Sequence, residues 1–187
     1  MTRFQAHTEE TSPDASRPIL KGSQRQFGFL PAPVARAAES PALLKHMLAG
    51  FAAFDQSSLD AVEREVVAMT VAFDVGCHYC MAMHSALLSR EQPQLMEALR
   101  AGSELPTARL QALAEFVRAL LAGKGRVSEV IWSAFIDAGF SSRHALDVVL
   151  GIGVYLLSTL TNVLTEAPLD AAFEGFAWER PASLGRG

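Results

Sequence analysis

The pattern of apolar and polar positions changes near residue 27. Residues 1–26 mix Thr, Ser, Pro, Asp and Arg with no apolar period, which predicts a flexible or extended N-terminal arm. From 27 to 187 the chain runs through long apolar stretches at helical spacing with no linker between them. β-Branched residues sit inside those stretches and not in short alternating runs, so strand signals are nearly absent. The pattern predicts one all-α domain over residues 27–187.

Punctuation residues place the helices. Pro41 opens a helix through ALLKHMLAGFAAF, and Asp60 with Glu63 forms a capping box that opens a run to Val75. Gly76 interrupts, and a new helix starts near Cys77 and runs through Leu88. Pro93 starts a short helix, and Thr107 caps a segment that ends at Gly123 and Gly125. Ser128 caps SEVIWSAFIDA, Gly139 ends it, Ser141 or Ser142 caps a long helix to Glu166, and a short helix follows Pro168.

The run from Val62 to Val75 is apolar on nearly every side and reads as a helix buried all round. The run from Val148 to Leu164 has the same character. Laying EVVAMTVAFDVGCHYCMAMH over DVVLGIGVYLLSTLTNVLTE matches the acid-Val-Val openings and an aromatic at the ninth position. The overlay hints at an internal duplication in which Thr159, Asn162 and Glu166 stand where the first copy has Cys77, Cys80 and His84.

Composition narrows the function. Of 187 residues, 50% are hydrophobic and 19% charged, which is ample core material and rules out disorder of the whole chain. A formal charge of -4 offers no footprint for a nucleic-acid backbone. The uncharged run Val148 to Leu164 falls short of the roughly 20 residues that cross a bilayer and lacks basic flanks, so no membrane role is expected. The first residues, MTRFQAHTEE, lack a signal-peptide apolar core, and two cysteines make no disulfide framework, so a cytoplasmic protein is expected.

The chemistry sits in GCHYCMAMH. Cys77, Cys80 and His84 are spaced by three and four, so they share an arc of roughly 60° on one helix face. That face also carries Met81, Leu87 and Leu88, which turns it inward. Two thiols three apart at a helix start are able to close a disulfide, and the helix N-terminus favours a thiolate. His84 lies one turn beyond Cys80, where it serves as a proton donor or acceptor, directly or through water. Glu65 lies in the preceding buried helix, where an acid needs a partner or a proton, and His84 is the expected partner. The competing reading is a zinc site, structural or sensing, in a non-catalytic helical assembly protein; it lacks a fourth ligand, because there is no third Cys and His7, His46, His78 and His144 show no ligand spacing.

The pattern Arg64-Glu65, eleven residues, then Cys77-x-x-Cys80-x-x-x-His84 resembles the alkylhydroperoxidase D-like branch of the carboxymuconolactone decarboxylase family, strongly over residues 59–88 and loosely to about Phe176. The resemblance implies an all-helical bundle built from a repeated unit and assembled as a homo-oligomer, a trimer or hexamer. It implies a thiol peroxidase or disulfide oxidoreductase acting on hydroperoxides, with Cys80 the attacking thiolate, Cys77 the resolving thiol nearer the surface, and Glu65 with His84 a proton relay. An external dithiol or redox protein is then the reductant, and neither a metal nor an organic cofactor is required. Decarboxylation is disfavoured, since the true decarboxylases generally lack the Cys pair. One departure is Tyr79, where the founding peroxidase has a His immediately before its attacking Cys; here a His lies one place earlier, at His78.

Assembly is also expected on physical grounds. A domain of this size rarely encloses two wholly apolar helices, so part of that surface should face another copy. Gly151 and Gly153 would admit close helix approach, and Phe173, Phe176 and Trp178 would anchor a neighbour.

Overall fold

A computed structural model describes residues 3–181. Among these residues nine α-helices and one 3-10 helix form, with no strand: α1 (Arg17–Phe27), α2 (Ala32–Ala37), α3 (Pro41–Asp55), α4 (Ala61–Val75), α5 (His78–Leu88), α6 (Pro93–Ala101), α7 (Ala108–Ala122), α8 (Glu129–Asp137), α9 (Ser142–Leu164) and the 3-10 helix Ala171–Phe176. The architecture is the all-α bundle that the sequence predicts. Residues 1–2 of the predicted arm and 182–187 of the predicted domain lie outside the described residues.

The caps explain why the helix boundaries fall where they do. Ser40, Asp60, Thr107, Ser128 and Ser141 each accept a backbone N–H in the first turn of the helix that follows. Each such cap contributes about 1 kcal/mol. The Asp60–Glu63 capping box is complete in both directions. Gly76 ends α4 at φ 76°, a left-handed turn that a side chain resists, and it redirects the chain so that Cys77 begins α5.

The central element is α4, packed by α5, α6, α7 and α9. Its residues Val66 through Ala72 are all buried, as the apolar pattern predicts. Close approach of α9 to α3 and α4 depends on Gly151: a Cβ there would lie 2.5 Å from the Phe54 ring and 2.9 Å from Val67.

Four expectations are corrected. The predicted arm is in part helical: α1 covers residues 17–27, Leu20 is fully buried with Val34, Leu44 and Met47, and Ser16 donates to the Ala38 carbonyl at 2.7 Å. Upstream of α1, His7 bonds Glu39 at 2.6 Å and the Phe4 carbonyl accepts from Arg36. Second, the long helix extends from Ser142 and has 23 residues, so by length and composition it is able to cross a membrane. One of its faces packs on α3 and α4; the other carries exposed Leu146, Val149, Leu160 and Leu164, so it is not buried all round as α4 is. Third, Gly151 serves packing within the chain, while a Cβ at Gly153 meets nothing within 4 Å. Fourth, Trp178 is buried against Phe73 and donates to the Arg100 carbonyl, and Phe173 packs on Tyr79 and Phe29, so both cover this chain's own core.

Candidate active site

Cys77 occupies the N-cap position of α5, where its sulfur takes the place of the usual hydroxyl or carboxylate and accepts from the Cys80 N–H at 3.4 Å. The 3.6-residue repeat then brings Cys80 back over the same helix end. The two sulfurs hydrogen-bond at 3.1 Å, and both thiols are free. Neither is near the surface: Cys77 is 0% and Cys80 3% exposed, so the expectation that Cys77 is the more accessible thiol fails. Cys77 is buried because it sits under the turn at Gly76, with the apolar residues of α4 behind it.

His84 follows one turn after Cys80 and is buried, and its Nδ1 bonds Glu65 Oε2 at 2.7 Å. The expected Glu65–His84 pair is therefore formed. Glu65 retains 20% exposure and is the part of this cluster that reaches toward solvent. The other imidazole nitrogen, Nε2, is buried without a partner. Tyr155 of α9 holds the ring edge-on at 5.3 Å. Met81 and Leu88 turn inward with the pair, whereas Leu87 is exposed and leaves the predicted stripe.

Electrostatics divides the two thiols. Cys77 is lowered from 9.0 to about 7, first by its hydrogen bond with Cys80, against burial, with help from the Cys80 and Tyr79 backbone and from Asn162. Cys80 is pushed well up by the same hydrogen bond and by burial. Within the pair a negative charge is favoured on Cys77, at the helix N-terminus, over Cys80. For His84, burial acts downward, but the charge and hydrogen bond of Glu65, with Cys77 adding, bring it above its ordinary 6.5. Both shifts act toward the charged forms, imidazolium at His84 and thiolate at Cys77, relative to the free side chains.

Two neighbours escaped the sequence reading. Asn162 of α9 donates from Nδ2 to the Cys80 sulfur at 3.2 Å and lies 4.0 Å from the Cys77 sulfur. Ser158, one turn earlier on α9, is buried and acts on the Cys80 thiol in the same downward direction as Asn162. The available signal was polarity: Ser158, Thr159, Thr161 and Asn162 interrupt an otherwise apolar helix. Tyr79 is tied by its O–H to Asp170 at 2.6 Å, and Asp170 also accepts from the Ala32 N–H, so Tyr79 pins the C-terminal segment to α5. Burial and Asp170 hold its phenol protonated. His78 is exposed and lines an open groove with Leu169 and Trp178.

Residues 41–101, which span α3 to α6 and contain Glu65, Cys77, Cys80 and His84, match the carboxymuconolactone decarboxylase family. The likeness to its alkylhydroperoxidase D-like branch is one of fold. A peroxidase-related protein with an alkylhydroperoxidase D core from Ralstonia eutropha JMP134 superposes with TM-score 0.80 at 21% identity, covering 92% of this chain and 94% of its own. A peroxidase-related protein from Silicibacter sp. TM1040 gives TM-score 0.76 at 22% identity, with 94% and 98% covered. The debrominase Bmp8 gives 0.74 at 17% identity, with 94% and 96% covered. No curated protein sequence matches the chain. The alkylhydroperoxidase D-like fold thus carries more than one chemistry, and the choice of reaction rests on the site.

Proposed function

We propose that this protein is a thiol-dependent peroxidase and disulfide oxidoreductase that reduces hydroperoxides through the Cys77–Cys80 pair. The observation that carries this reading is the juxtaposition of two reduced sulfurs at 3.1 Å with a buried His84–Glu65 pair at 2.7 Å. The zinc alternative is not supported, because among the described residues no group of three or more His, Cys, Asp or Glu is arranged to hold a metal ion.

The cycle starts with a proton moving within the pair. Cys80 passes its proton to the Cys77 thiolate across their contact, and the Cys80 thiolate attacks the terminal oxygen of the hydroperoxide. The S–O bond forms as the O–O bond breaks, and the leaving alkoxide takes a proton from the His84 imidazolium that Glu65 sustains. Cys80 is now a sulfenic acid. Neutral His84 takes the Cys77 proton, and the Cys77 thiolate attacks the Cys80 sulfur. The disulfide forms, and the hydroxide leaves as water with that proton. An external dithiol or redox protein returns two electrons and two protons.

The test is peroxide consumption by the reduced protein with a small dithiol as electron source. Cys80→Ser is expected to lower turnover by about a hundredfold or more, and Cys77→Ser to stop the protein at the sulfenic acid. One equivalent of peroxide should convert the parent to a form lighter by two hydrogen atoms. A folded Cys80→Ser protein as active as its parent overturns the reading.

A further inference from the structure

The helix that packs across the thiol pair brings no acid, base or thiol to the two sulfurs, yet it brings a buried amide donor to them. Asn162 Nδ2 lies 3.2 Å from Cys80 Sγ against 4.0 Å from Cys77 Sγ, so its shorter bond runs to Cys80. Asn162 is 3% exposed, and its Oδ1 is buried without any partner. A buried amide with one end unpaired is costly, so packing alone favours a leucine at this position. The side-chain hydrogen bonds it makes run to the two sulfurs, and the shorter goes to Cys80.

We propose that Asn162 selects Cys80 as the nucleophile of the pair by donating its amide N–H to that sulfur. The rest of the site works in the opposite direction. The Cys80 N–H at the start of α5 donates to the Cys77 sulfur at 3.4 Å and draws the anion to Cys77. A donor reaching across from α9 is what lets the negative charge move to Cys80 when the proton crosses the pair. Asparagine suits the task because it neither gains nor loses a proton and so does not compete with His84 in the relay. Charge-assisted hydrogen bonds of this kind are stronger than neutral ones, and the effect should be felt mainly on the thiolate.

This inference rests on the pair being a redox site, and its test is independent of turnover. The reduced protein, labelled with carbon-13 at the cysteine Cβ atoms, is titrated by NMR so that each thiol is read without reagent access. In Asn162→Leu the Cys80 thiol should bind its proton about tenfold more tightly than in the parent, with a smaller change at Cys77. Asn162→Asp, which keeps the shape and adds a negative charge, should raise the Cys80 affinity further and serves if the leucine variant does not fold. Unchanged Cys80 titration in either folded variant overturns the proposal. A parent without peroxidase activity whose Cys80 still responds to Asn162 sinks the peroxidase reading and leaves this one standing.

Discussion

The two most apolar helices, α4 and α9, look alike as sequence and differ in surroundings. α4 meets neighbours on every side and buries all seven residues from Val66 to Ala72. α9 turns one face to α3 and α4 and leaves Leu146 at 72%, Val149 at 51% and Leu160 at 56% exposure. Apolar composition therefore reports that a face must be covered, and topology decides whether the same chain covers it. A homo-oligomer, as expected from the sequence, would bring a second copy to the open face of α9. Both helices serve the site, α4 through Glu65, which holds His84 of α5, and α9 through Asn162, which meets the thiol pair.

The comparison breaks most sharply under a buried charge. Val67→Asp in α4 places a carboxylate with no partner in the core and should cost about 4 kcal/mol or more, enough to unfold a domain of ordinary stability. Val149→Asp on the open face of α9 should change the stability of a single chain by about 0.5 kcal/mol or less and weaken self-association. Thermal denaturation and light scattering after size exclusion read the two effects. A parent mass near 20.1 kDa at micromolar concentration would show that no second copy covers α9.

Within α4 itself, two acids two residues apart sharpen the contrast. Glu63 accepts from Arg109 at 2.7 Å and closes the capping box, so Glu63→Ala should cost about 2 kcal/mol of stability. Arg109 is 39% exposed, which keeps this below the loss for a fully buried pair. Glu65→Gln removes the carboxylate that sustains the His84 imidazolium and should lower peroxide turnover far more than it lowers the melting temperature. Equal loss of turnover in folded forms of both variants would contradict the division of roles.

How much of this was legible follows from distance along the chain. The boundaries of α3 to α9 were readable because caps act within one turn: Ser40, Asp60, Gly76, Thr107, Ser128 and Ser141 sit beside what they terminate. The Cys77, Cys80 and His84 cluster was readable for the same reason, and Glu65 because a buried acid needs a partner. α1 was missed because its apolar stripe is narrow and Leu20 is buried by residues of α2 and α3, a tertiary contact with no local signature. Asn162 was missed because 82 residues separate it from the sulfur it meets. Which sulfur holds the anion was not readable either, since it depends on backbone donors aimed by the turn at Gly76.

The two faces of α9 are separable by single methyl groups. Gly151→Ala drives a Cβ into Phe54 and Val67 and should destabilise by about 1–3 kcal/mol, because the facing groups are core side chains without room to move. Gly153→Ala, two residues on, meets nothing and should stabilise by about 0.5–1 kcal/mol through lower backbone entropy of the unfolded chain. Melting temperatures that move in the same direction would mean that the α9 packing described above is wrong.

The smallest effect is a change of sign with pH. Folded His84 binds its proton above the ordinary 6.5, so its stabilisation is fully present below pH 6.5 and is lost as pH rises through the folded value. In Glu65→Gln the charge that holds it up is gone and only a neutral amide acceptor remains, so burial acts downward against that weaker bond and the Cys77 charge. Neutral His84 is then favoured in the fold, and the contribution is instead lost as pH falls below the unfolded value. Cys77, lowered to about 7, adds stability that grows as pH rises from 7 toward 9. Subtracting the variant's melting curve from the parent's reduces that common contribution. The difference should fall steadily as pH rises through 6.5, and a flat difference would show that Glu65 does not set the charge of His84.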